Sequence, residues 1–127
     1  MKNDDSMLVI SEKPLMRKCY HDFEEYTNWK DCTLRKWLNE DFYNSSFNDE
    51  EKNRILVTSL HNEPNFEQWV SPVGMKVSCK SEGCDDTNDR IFLLSLSGFR
   101  KYYGEKCDDA DVWWWLRTPG RATYRAV

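Results

Sequence analysis

No stretch of about 18 consecutive apolar residues occurs in this chain, so no segment qualifies as a membrane-spanning helix. Met1-Lys2-Asn3-Asp4-Asp5 has neither the basic nor the apolar region of a secretory signal, and a cytoplasmic location is expected. A nucleophile elbow, a phosphate-cradling glycine loop and an H-E-x-x-H helix are all missing, and the two histidines, His21 and His61, stand far apart. These absences disfavour an enzyme. Cys19, Cys32, Cys79, Cys84 and Cys107 are five in number without regular spacing, which suits free thiols better than a disulfide framework. Nor does one sign of charge dominate. With 18 basic and 22 acidic residues the net charge is −4, against the clustered Lys and Arg of a phosphate-backbone binder.

What is present is aromatic. Apolar residues make up only 39% of the 127, yet Phe, Trp and Tyr reach 14%, so large rings must supply much of the core of a single domain spanning residues 1–127. Leu34, Trp37, Leu38 and Phe42 fall at i, i+3, i+4 and i+8, one stripe of a helix over about 33–44 with Thr33 as its cap. Asn48 with Glu51 three residues on is a capping box opening a second short helix over 49–54. A third helix is expected from the serine, aromatics and glycine of Ser97-Gly98-Phe99-Arg100-Lys101-Tyr102-Tyr103-Gly104. Strands are expected at Met7-Leu8-Val9-Ile10-Ser11, at Ile55 to Leu60 and at Trp113-Trp114-Trp115-Leu116. Arg90 to Ser95 is placed at the sheet centre. Between them, 61–89 is predicted to be a long irregular loop, with a small hairpin at Val73 to Cys79 as its one regular feature.

Several separated motifs carry a resemblance. Trp29 with Cys32-Thr33-Leu34-Arg35-Lys36-Trp37-Leu38-Asn39 and Phe42-Tyr43-Asn44, then Asp89 to Ser95, then Trp114-Trp115-Leu116-Arg117-Thr118-Pro119-Gly120 resemble a bacterial and phage domain family of unknown function. That resemblance implies an α+β, C-type-lectin-like fold, similar to formylglycine-generating-enzyme relatives: a small twisted antiparallel sheet, two to three short helices and a long irregular loop. In that family the chain continues past the W-L-R-[ST]-P-G motif with further strands. Here seven residues follow Gly120, so the family's C-terminal strands are expected to be absent and the sheet to keep an open edge for a partner or a second copy. Trp29, Leu34, Arg35, Trp37, Leu38, Asn39, Phe42, Trp114, Pro119 and Gly120 are then expected to be structural.

Candidate binding residues are Trp113, Trp115 and Arg117, which share one strand face, with Phe66 and Trp69 of the 61–89 segment. Large rings are more often core than ligand platform, and arginine in such a motif more often clamps a carbonyl or carboxylate than it catalyses. Cys79 and Cys84 are too lone a pair to hold zinc, and Glu63-Pro64-Asn65 without a W-N-D companion does not indicate calcium. No metal and no cofactor is therefore expected. The leading expectation is a non-enzymatic module binding a protein or glycan, without direct contact to nucleic acid or membrane. The alternatives are a small acidic phage-encoded inhibitor of a host complex, which would act inside the host cell, and an enzyme with an unrecognised site.

Overall fold

The computed structural model describes residues 5–70, 74, 76–103 and 115–119, and the side chains of all of these except 66–70 and 76–80. Its longest helical run covers 33–46 as α1 (Thr33–Trp37), a π-helical turn (Leu38–Phe42) and α2 (Tyr43–Ser46). The cap is Cys32, not Thr33. The Cys32 Sγ accepts from the Arg35 amide at 3.4 Å, while Leu34 N donates to the Tyr20 carbonyl and Thr33 N to His21 Nδ1. The segment before the helix thus satisfies donors that the first turn leaves open. In the π turn the Tyr43 amide bonds back five residues to the Leu38 carbonyl. Leu34 and Leu38 are buried with Trp29 and Cys32, and Trp37, Phe42, Ile91, Phe92 and Leu93 pack around them.

Trp37 is only half-buried, its ring 5.3 Å from Phe42 and covered by the Lys18 ammonium at 4.5 Å. Trp29, 1% exposed, is the large ring at the centre. α3 (Asp49–Arg54) opens on the expected box: Asn48 Oδ1 accepts from Glu51 N, and Glu51 Oε2 accepts from Asn48 N, each at 2.9 Å. Asp49, Glu50 and Glu51 in its first turn complement the helix dipole.

The expected irregular loop over 61–89 is instead a β-ribbon. β1 (Thr58–Asn62) pairs antiparallel with β4 (Cys84–Asp89), and nested between them β2 (Asn65–Val70) pairs with β3 (Lys76–Ser81). Alternation is present, but beside Leu60 its inward positions are polar: Asn62 on β1 faces inward with Thr87 and Asp89 on β4. A reading that weighs hydrophobicity misses such strands, because ladder bonds and side-chain pairs replace apolar burial. The ribbon is interrupted where Glu63-Pro64 lies opposite Glu82-Gly83. A Cβ on Gly83 would run into the Asn62 carbonyl oxygen and stand 2.8 Å from Pro64 N. Only glycine fits there.

The expected strand at Ile55 to Leu60 is met in its second half: Thr58 to Leu60 open β1, while Ile55 to Val57 precede it without pairing. The other three expected strands carry no ladder over their described residues, and Met7-Leu8-Val9 are exposed. Arg90 to Ser95 are not a central strand either, because the Asn39 side chain occupies the place of a neighbour. Its Oδ1 accepts from Arg90 N and Ile91 N, and its Nδ2 donates to Ile91 O. The expected third helix is α4 (Leu96–Tyr103), capped by Ser95 rather than Ser97, with Gly98 N donating to Ser95 Oγ. Trp113, Trp114 and Gly120 lie outside the described residues. Trp115 and Leu116 carry no ladder, and Trp115 lies on the 18–20 segment, its ring 5.6 Å from Tyr20 and its Nε1 donating to Lys18 O. The result is a small α+β unit of helices and antiparallel two-stranded pairings. Among the described residues no helix is long and apolar enough to cross a membrane.

Candidate functional site

Asp89 ends β4 with its side chain 1% exposed. A carboxylate removed from water needs donors on both oxygens. Oδ2 receives Trp29 Nε1 at 2.9 Å and Thr87 Oγ1 at 3.0 Å, and Oδ1 receives Arg35 Nε at 2.8 Å. The Arg35 Nη1 continues to the Lys30 carbonyl, so one guanidinium ties α1 both to β4 and to the turn before the helix. From Thr87 the chain of bonds crosses to β1, where Asn62 Nδ2 donates to Thr87 Oγ1 and to the Asp85 carbonyl. Asn62 Oδ1 accepts from Arg117 Nη1, which also donates to the His61 carbonyl, both at 2.8 Å. Arg117 and Arg35 thus grip the two sides of one strand pair.

Burial lowers the affinity of the Arg117 guanidinium for its proton, partly offset by the charge of Asp89, and its buried Nε has no partner among the described residues. Beside it is a void of about 10 Å³ bounded by Tyr20, Trp29, Cys84 and Pro119 among others, space for no more than one water. Burial raises the Tyr20 hydroxyl, which also bonds to Cys32, and raises the Cys32 and Cys84 thiols, so these three groups stay neutral beside the Arg117 guanidinium. Cys32 is buried, Cys84 half-buried and Cys19 exposed, all three as free thiols. Cys79 is known by its place on β3 alone, and Cys107 lies outside the described residues. Among the described residues no group of three or more His, Cys, Asp or Glu is placed to hold a metal ion.

On the other side of Arg117 the surface opens into a groove of about 350 Å³. One wall is the run from Ser59 through His61 and Glu63 to Asn65; the other is the start of α4 at Leu96, Ser97 and Arg100. Thr118 and Arg117 join the walls. The Leu96 amide donates to Thr118 Oγ1, and the Arg117 amide donates to the Leu94 carbonyl. His61 Nδ1 stands 2.7 Å from Asp86 Oδ1 at the rim, with both side chains exposed.

Among the described residues, Arg117 is the expected binding residue that lines the groove. Trp115 is 43% exposed but faces the 18–20 segment. Phe66 and Trp69 stand on β2, opposite Lys80 and Val77, with side chains outside the described residues, and Trp113 lies outside them altogether. Trp29, Leu34, Arg35, Leu38 and Asn39 gather around the core and the Asp89 clamp, with Trp37 and Phe42 at its margin. Pro119 accepts a bond from Asn65 Nδ2. Missed at the sequence level were Asn62, Thr87 and the burial of Asp89. Their signal was the inward phase of alternation set by Leu60, which carries polar residues at every other inward position.

Fold and site together define a small α+β domain in which a buried carboxylate clamps a β-ribbon to a helix. The chain belongs to the family described as a domain of unknown function, DUF6273, whose family model matches residues 4–103. That match includes Trp29, Arg35, Asn39 and Asp89; Trp115 to Pro119 lie beyond it. No curated protein and no solved structure matches the chain.

Proposed function

We propose that this domain is a non-enzymatic recognition module on a C-type-lectin-like scaffold, and that its ligand is a protein. The observation that carries this reading is the groove of about 350 Å³, open to solvent while both of its walls are held by Arg117 and Thr118. Preorganised walls reduce the ordering cost of binding. Among the described residues no Phe, Trp or Tyr lines the groove, so a sugar would find only the His61 imidazole to stack on, and hydroxyl, amide and backbone groups suit a polypeptide better. The acidic-inhibitor reading draws less support, because the exposed carboxylates of β4 are already engaged, Asp85 with Lys30 at 2.6 Å and Asp86 with His61. For an enzyme, His61 would need a nucleophile within reach, and among the described residues no serine hydroxyl bonds to it.

The test places a photo-crosslinking residue at Ser97, on the exposed rim, and at Lys36 on the exposed side of α1 as control. A saturable protein adduct formed from position 97 alone, together with an empty glycan array, is expected. A sugar bound saturably with no protein adduct would sink the choice of ligand, and blank results in both assays would sink the module reading.

A further inference from the structure

We infer that an extended segment of the partner protein lies in this groove and pairs with the outer edge of β1, adding a third strand to the ribbon. The inference rests on the protein-ligand reading above and specifies where and how that ligand binds. The groove follows an edge rather than a face: Ser59, Leu60 and His61 all line it, and consecutive strand residues point to opposite faces, so only their shared backbone edge can border one space. On its inner side β1 is paired with β4, and among the described residues no strand pairs with its outer side.

Arg117, which lines the groove, reaches the His61 carbonyl with Nη1, at the irregular step of the ladder between Leu60 and Asn62. Strand alternation places the Ser59 N–H and C=O on the same edge, two residues away. An incoming strand would find a donor and acceptor pair at Ser59 and, across the groove, the hydroxyls of Ser95 and Ser97 and the apolar side chain of Leu96. Arg117 occupies the next acceptor along and so sets where the pairing stops.

Size agrees with this occupant. About 350 Å³ is at the small end of ligand sites and holds a few residues of extended chain, matching the short length of β1. A two-stranded ribbon is marginal alone, and a third strand lying between it and α4 would satisfy edge groups that now face water. The ligand chemistry is therefore a proline-free extended peptide offering alternate backbone amides to β1 and one apolar side chain to Leu96. Strand addition of this kind draws affinity from main-chain bonds and selectivity from the alternate side chains.

The experiment selects short random peptides displayed on phage against the intact chain, then measures binding of the selected peptides by fluorescence anisotropy. Expected are saturable binders, slowed hydrogen exchange at the Ser59 amide on binding, and a loss of about tenfold when alternate peptide amides are N-methylated, with little change at the intervening ones. Leu96→Arg, checked for unchanged circular dichroism, should weaken the same peptides by about tenfold or more. Failure to select any binder overturns strand addition; if the Ser97 crosslink still forms, the recognition reading stands without it. Binders that protect amides elsewhere, or that lose equally at every N-methylated position, also overturn strand addition.

Discussion

Replacing Asp89 by asparagine tests the central joint of the domain with almost no change of shape. The carboxylate accepts from Trp29 and Thr87 on one oxygen and from Arg35 on the other. An amide can present its oxygen to only one side. If that side is Trp29 and Thr87, the new NH2 abuts the Arg35 Nε–H and a charge-assisted bond of about 1.5–3 kcal/mol is lost. Breaking a buried pair outright costs about 3–5 kcal/mol, but the Arg35 side chain is 26% exposed and keeps its bond to the Lys30 carbonyl, so water relieves part of that. With the amide flipped, two neutral donors lose their acceptor at comparable cost. Asp89→Asn should therefore destabilise by about 3 kcal/mol, lowering Tm by roughly 10 °C in a chain of this size. Urea unfolding followed by tryptophan fluorescence reads it directly. Arg35→Met alone and combined with Asp89→Asn completes a cycle, in which the double variant should lose about 1–2 kcal/mol less than the two singles predict. A loss below about 1 kcal/mol for Asp89→Asn, or strict additivity, would refute the carboxylate as the joint between helix and ribbon.

Gly83→Ala should cost about 3 kcal/mol or more, because every atom its Cβ meets is backbone of Asn62, Glu63 or Pro64 and cannot rotate away; thermal melting checks this, and an unchanged Tm would mean that the ribbon break relaxes freely. Asn48→Ala removes one half of the α3 capping box and should cost about 1 kcal/mol by chemical denaturation, with Asn48→Asp nearly neutral. The Tyr20 hydroxyl is raised above its ordinary value of 10.0, chiefly by burial. Its contribution is thus fully present below pH 10 and is lost as pH rises from there toward the folded-state value, because the unfolded chain ionises first. Urea midpoints should fall between pH 9 and pH 11, and less steeply in Tyr20→Phe; parallel slopes for the two proteins would exclude Tyr20 as a cause.

Features with local causes were readable from the residues alone. The Leu34, Trp37, Leu38 and Phe42 stripe marked a helix, and Asn48 with Glu51 marked the start of the next, because periodicity and capping act within a few residues. The cap before α1 shifted to Cys32 because Thr33 is engaged elsewhere, its Oγ1 accepting from the Asp22 amide. The ribbon was hidden because its inward side is built from Asn62, Thr87 and Asp89, whose suitability for burial depends on partners that come from Trp29, Arg35 and Arg117. Arg90 to Ser95 misled for the opposite reason. Its apolar run is only half-buried, not the fully buried central strand expected, and Asn39 supplies the hydrogen bonds that a neighbouring strand would have supplied. The groove could not be read at all, since its walls come from segments distant in the chain, joined through Arg117 and Thr118.

The nesting of β2 and β3 inside β1 and β4 separates a foundation from a replaceable head. Pairing from Thr58 with Asp89 to Asn62 with Cys84 depends on its own ladder and on Thr87, Asp89 and Arg117, all of which lie on the near side of Glu63-Pro64 and Glu82-Gly83. A longer, shorter or differently sequenced hairpin joined at Asn65 and Ser81 would leave those pairings in register. The junction at Asn65 and Ser81 is therefore a graft point, where new heads can be exchanged on an unchanged foundation.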